Sequence, residues 1–158
     1  MLLLLMRHGI AEPLGEEYAE DFDRPLTGKG EKRVRQAAQG LLKLVPPIEL
    51  LASSPKVRAL ETARIAGAVL EAPQVVEWEE LMTGDHAGLL RKLRVCDAET
   101  VLLCGHEPHL SRFASRLLSG SPDKVAIEFK KSGVCAIELE SATLLWHLGP
   151  AVLRLVGG

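Results

Sequence analysis

The chain has 158 residues, 47% of them apolar and 25% charged, a size and balance that exclude two independent cores, a disordered chain and a fibrous one, and that predict one domain over 1–158. Its formal net charge of -2 excludes a global attraction to nucleic acid or to an anionic membrane, so any anion must be met by a local cluster of cations. Cys96, Cys104 and Cys135 form no CxxC pair, and two of them lie in apolar runs, which fits a reducing cytoplasm.

Leu2 to Met6 is a short continuous apolar run, the pattern of a strand covered on both faces in a mostly parallel sheet. The opening MLLLLM lacks the basic start and the length of a signal peptide, and no stretch reaches the ~20 apolar residues of a membrane span. Ile10 to Arg24 is acidic and without period, and is read as a loop. Thr27 is an N-cap candidate for a helix that turns Val34, Ala37, Ala38, Leu41 and Leu42 to one side and is closed by Pro46-Pro47. A strand follows at Ile48 to Ala52. Ser53-Ser54-Pro55 then supplies a cap and a first-turn proline for a helix running to about Leu70, with Ala59, Leu60, Ala63, Ala66 and Val69 or Leu70 inward.

Gln74 to Trp78 is expected as a strand, Asp85 to Val95 as a helix, Thr100 to Cys104 as a buried strand and Pro108 to Leu118 as a helix. Val125 to Phe129, Val134 to Leu139 and Leu144 to Leu148 complete the series as strands, some antiparallel. The alternation predicts an α/β fold: a three-layer α/β/α sandwich with a mostly parallel central sheet, helices on both faces and extra antiparallel strands near the C-terminus.

Ligands of open α/β sheets bind beyond the carboxyl ends of the parallel strands. Three predicted strands end there in Arg7-His8-Gly9, in Ser53-Ser54-Pro55 with Arg58 one turn on, and in Gly105-His106. Each residue alone has an ordinary structural explanation; together they describe a phosphoryl pocket. A phosphoryl group in transfer spreads negative charge over three equatorial oxygens, which planar guanidiniums grip in pairs. Arg7, Arg58 and a protonated His106 would supply that grip. An imidazole is partly neutral at pH 7 and nucleophilic without a separate base, so His8 can attack phosphorus. Gly9 and Gly105 leave room for close approach.

Arg7-His8-Gly9 after an N-terminal strand, Arg24-Pro25-Leu26-Thr27 with Gly30, Ser53-Ser54-Pro55 with Arg58-Ala59 and Glu61-Thr62-Ala63, Glu80-Leu81 with Gly84-Asp85, and Gly105-His106-Glu107-Pro108 fall in one order. That order resembles the histidine phosphatase superfamily, which includes the phosphoglycerate mutases, and within it the short bacterial branch of SixA-type phosphohistidine phosphatases. The resemblance implies that His8 is phosphorylated and that Arg7, Arg58 and His106 bind the phosphoryl oxygens, with no metal or other cofactor. It matches Arg24 to an additional arginine near the pocket, for which a salt bridge to Asp21 or Asp23 is the structural alternative. Gly9 enters as a substrate-binding position. Larger members use a carboxylate after the third strand as general acid; Glu80 is the nearest match, Asp85 the second candidate. The short chain leaves no room for insertions over the pocket, so the expected substrate is a phosphohistidine-bearing protein, with a small phosphate ester as the alternative.

Three rival readings are weaker. Gly28-Lys29-Gly30 lacks the rest of a phosphate-binding loop. His106, His109 and Cys104 suggest a metal, but HEPH is not HExxH. A non-catalytic phosphoprotein-binding module would have no need of a nucleophile such as His8.

Overall fold

The computed structural model describes residues 1–158, whose strands line up as β3-β2-β4-β1-β5-β6. β1 (Leu2–Arg7), β2 (Leu50–Ser53), β3 (Val76–Glu77) and β4 (Thr100–Gly105) run parallel. β5 (Val134–Glu138) is antiparallel to β1, and β6 (Thr143–Leu148) is antiparallel to β5.

Successive side chains of a strand face opposite ways, and the apolar runs of the central strands feed two cores. Leu4, Met6, Leu51, Leu102, Cys104, Val134 and Ala136 pack under α1 (Gly28–Leu42), α2 (Val57–Leu70) and α6 (Pro150–Gly157). Leu3, Leu5, Ala52, Val101, Leu103, Cys135 and Ile137 meet α3 (Glu80–Thr83), α4 (His86–Val95) and α5 (His109–Ser119) on the other face. The expected α/β/α sandwich, with its C-terminal antiparallel strands, is the architecture found. No helix is both long and apolar enough to cross a membrane.

Several expectations shift. Val125–Phe129 is not a strand. The place beside β1 is taken by β5, whose other side is taken by β6, so this segment finds the edge of β1 occupied and packs Ile127 and Phe129 into the second core instead. β3 is only two residues of the expected five. α2 begins at Val57, after Pro55, without a serine cap. Leu42, expected to face inward, is 51% exposed because α1 stops there, where the Lys43 amide bonds back to Gly40. Leu60 is only partly buried, and at the end of α2 it is Leu70 that is buried.

The sequence reading had no element after Leu148. Pro150 at the first turn of α6 was the available signal. Leu153 of α6 is fully buried and its carbonyl lies against Gly40, where an added Cβ would stand 1.9 Å from the oxygen. Intrinsic propensity alone would make Gly40→Ala stabilising by about 1 kcal/mol. We expect the opposite sign, a loss of about 2 kcal/mol from overpacking of α1 against α6, read as a lower urea midpoint; an unchanged or higher midpoint would show that α6 yields without cost.

Candidate active site

The register brings the three strand ends together. Arg7 pairs with Gly105, and Ser53 with Cys104. The pairing continues one residue past the strands, since the His8 amide donates to Gly105 O at 3.0 Å and the Ser54 amide to Cys104 O at 3.0 Å. Ser54, His106 and His8 therefore follow one another in that order along the carboxyl edge. The strand-to-helix connections on this edge are residues 54–56, 78–79, 106–108 and the longer 8–27.

His8, Arg58 and His106 are 7%, 6% and 5% exposed. The His8 and His106 rings lie with centroids 5.2 Å apart. His8 Nδ1 is 2.7 Å from Gly9 O; a carbonyl only accepts, so the proton sits on Nδ1 and Nε2 carries the lone pair, which accepts from Arg58 Nε. Arg58 Nε points at that nitrogen from 3.4 Å. Burial, reinforced by the positive charges of Arg58, Arg7 and Lys131 and opposed by the Gly9 carbonyl, lowers the His8 pKa to about 4. The ring is a neutral nucleophile well below pH 7.

His106 departs from expectation. Burial first, then coupling to the neighbouring His8 ring and the positive charges of Arg58 and Lys56, lower its pKa to about 2, so it is neutral here and not the cation expected from its type. A protonated imidazole would need an anion at its side to offset desolvation beside two cations. Its Nε2 is 2.7 Å from Ser54 Oγ, which accepts the Lys56 amide. With the Ser54 hydroxyl donating to Nε2, the His106 proton lies on Nδ1, a buried atom without a partner. Arg7 gives Nη1 to Phe129 O at 2.7 Å, and its Nε is likewise buried and unpartnered. Two buried donors without acceptors are costly unless an acceptor arrives.

The remaining residues take other places. Gly9 offers no free N–H to a ligand, because its amide donates to Thr62 Oγ1 at 3.0 Å; Val34 packs where its Cβ would be. Thr62 in turn donates to Arg58 O at 2.7 Å, tying α2 to the end of β1. Arg24 makes the salt bridge, with Nη1 2.8 Å from Asp21 Oδ1, and its Nε donates to Glu12 O. Thr27 caps α1 by accepting the Gly30 amide at 2.9 Å. Gly30 packs against the Ile10 carbonyl, where an added Cβ would lie 2.1 Å from the oxygen.

Glu80, on α3, is held by Lys92 Nζ at 2.8 Å. Burial raises its pKa, but the Lys92 ammonium outweighs this and leaves it below the ordinary carboxylate value. Asp85 Oδ1 caps α4 through the Gly88 amide at 2.9 Å. Glu80 therefore holds no proton to give at neutral pH, and Asp85 is committed to the α4 cap. Cys104, the sulfur of the metal reading, is buried in the first core with its thiol pushed up to about 12 by desolvation.

Sequence reasoning places Ser54 at a strand end of the pocket, and as a helix cap, but not in contact with His106; it gives Asp21 only as a partner for Arg24 and assigns Lys56 no role. Serine beside a strand end was visible, but the partners of Asp21 and Lys56 are set by packing.

Comparisons with known proteins show the family and the fold. The family model described as "Histidine phosphatase superfamily (branch 1)" matches residues 3–94. An uncharacterised protein of Picosynechococcus is 32% identical over 151 residues, 93% of this chain and 90% of that one. Phosphohistidine phosphatase SixA of Escherichia coli is 28% identical over 163 residues, 98% of each chain. The solved structure of the protein histidine phosphatase SixA complexed with tungstate matches with a TM-score of 0.78 over 97% of this chain and 99% of that one, at 27% identity.

Proposed function

We propose that this chain, which belongs to the histidine phosphatase superfamily and is a phosphatase, removes phosphate from a phosphohistidine-bearing protein through a phospho-His8 intermediate. The observation that carries this reading is the His8 imidazole itself, protonated toward Gly9 O and carrying its lone pair at Nε2 beside the Arg58 guanidinium. In the first step the Nε2 lone pair forms a bond to phosphorus while the N–P bond of the substrate breaks; the phosphohistidine ring, already protonated by solvent on its other nitrogen, leaves as neutral imidazole. In the second, water attacks phosphorus, the His8 N–P bond breaks, and inorganic phosphate departs with His8 restored.

Arg58 Nε, Arg7 Nε and His106 Nδ1 are the donors assigned to the phosphoryl oxygens. A phosphoryl dianion would give His106 the counter-charge that the empty pocket withholds, and so raise its pKa. The substrate class is supported by the engagement elsewhere of Glu80 and Asp85, the two carboxyls expected as general acids. An imidazole with an ordinary pKa of ~6.5 leaves readily once protonated; an alkoxide does not. The short connections 54–56, 78–79 and 106–108 place no inserted segment over those strand ends, which favours a substrate displayed on a protein. A cytoplasmic location fits the free thiols Cys96, Cys104 and Cys135.

The test is a side-by-side rate comparison, with and without EDTA, on a phosphohistidine protein, phosphoserine and a sugar phosphate. Phosphohistidine should be preferred, with no effect of EDTA. Glu80→Gln is expected to change phosphohistidine turnover by less than about threefold, because no acid is required for that leaving group. Preference for the sugar phosphate together with a large loss in Glu80→Gln would replace this reading with a small-ester phosphatase.

A further inference from the structure

Asp21 lies in a 3-10 turn, Asp21–Asp23, within the long connection after β1, and its contacts converge on Arg58. Its main-chain oxygen accepts from Arg58 Nη1 at 2.8 Å and its Oδ2 from Nη2 at 3.1 Å. Oδ2 also meets Lys56 Nζ at 2.7 Å, and Oδ1 meets Arg24 Nη1 at 2.8 Å. Hydrogen bonding from Lys56 is the largest influence on this carboxyl; burial opposes it, and the further hydrogen bonds from Arg24 and Arg58 leave the group well below the usual carboxylate range.

The placement distinguishes two roles for such an anion. A carboxylate competing with substrate would lie between Arg58 and His8, on Nε. Asp21 instead occupies the two terminal nitrogens, while Nε faces His8 Nε2 at 3.4 Å. A guanidinium has five N–H donors in one plane. With one hydrogen of each terminal nitrogen given to Asp21, the Nε–H and the remaining terminal hydrogens stay available to oxyanions on the His8 side. Gripping one end of a planar group by two contacts fixes the plane of the whole.

We propose that Asp21 is a positioning residue for phosphoryl transfer, holding the plane of Arg58 so that its Nε–H faces His8 Nε2 before substrate arrives. The proposal rests on the phosphatase reading. Arg58 sits on a long side chain whose free rotamers would have to be ordered in the transition state; Asp21 removes that requirement in advance. Lys56 and Arg24 complete the arrangement by pinning the carboxylate.

Asp21→Ala and the near-isosteric Asp21→Asn should lower kcat by about 10- to 100-fold, as misplaced catalytic donors do, with KM within about threefold. Inorganic vanadate, which adopts the five-coordinate geometry of transfer, should lose affinity in step with kcat/KM, and inorganic phosphate much less. In an Arg58→Ala background the Asp21 substitution should add no further loss, whereas a merely structural role would add its effect in full. Higher activity in either Asp21 variant, additive losses with Arg58→Ala, or vanadate binding equal to the parent's would each overturn the proposal. Both variants keep the main-chain contact, and Asp21→Asn, which preserves the side-chain volume, serves if the alanine variant does not fold. Should the parent hydrolyse no phosphate compound, the phosphatase reading fails, yet the vanadate comparison still decides the role of Asp21. A parent that also fails to bind vanadate overturns both.

Discussion

Replacing His8 by alanine is expected to lower kcat by about 10⁴-fold or more, because it removes the nucleophile and with it the covalent intermediate. The site provides no substitute. The Nε2 of His8 is the nitrogen beside Arg58 Nε, while His106 turns its own Nε2 to Ser54 Oγ. Water would have to attack phosphorus directly, without an imidazole to divide the reaction into two easier steps. The measurements are steady-state turnover and recovery of labelled phosphate on the protein, with far-UV circular dichroism and a urea midpoint to show that the fold persists. Undiminished turnover, or labelling of the variant to the parent's level, would remove His8 from the mechanism.

Arg58→Ala is expected to lower kcat/KM by about 10²- to 10³-fold, or about 2.7–4 kcal/mol, the range seen when one preorganised donor to a developing oxyanion is deleted. Charge builds on the equatorial oxygens next to His8 Nε2, where Arg58 Nε already points. Arg58→Lys should recover little of the loss, because an ammonium is a point charge and cannot present a planar fork. The substitution also leaves the Asp21 main-chain oxygen without its Arg58 donor, so the denaturation midpoint must be measured alongside. If the lysine variant matches the parent, positive charge alone is what the pocket uses, and the argument from guanidinium geometry falls.

Much of the architecture could be read from periodicity. β1 and β4 are apolar runs with cores on both faces, and α1 carries Val34, Ala37, Ala38 and Leu41 at helical spacing behind the Thr27 cap. The pattern of Val125–Phe129 is as strand-like as that of Val134–Glu138, but a strand needs an open edge. Which segment obtains the edge of β1 is decided by the whole sheet. The pairing of His8 with His106 followed from strand ends alone, since parallel strands deliver their carboxyl termini to one rim.

Charge state and ion pairing were less legible. His106 loses its proton through burial among Arg58, Lys56 and His8, a property of the surroundings and not of the motif. Glu80 meets Lys92 twelve residues on, from a different helix. Asp21 meets Lys56 and Arg58 from 35 and 37 residues away. Spacing along a chain cannot reveal such partners when no regular element joins them.

The packing of α6 on α1 also sets where Gly158 lies. α1 starts at the rim that holds His8 and, with 15 residues, extends roughly 22 Å from it at 1.5 Å per residue. At its far end Lys43 Nζ donates to Gly157 O at 3.0 Å. A fluorophore, bead or fusion partner joined behind Gly158 would thus be anchored on the side remote from the reacting imidazole, leaving that rim clear to meet a bulky phosphorylated protein.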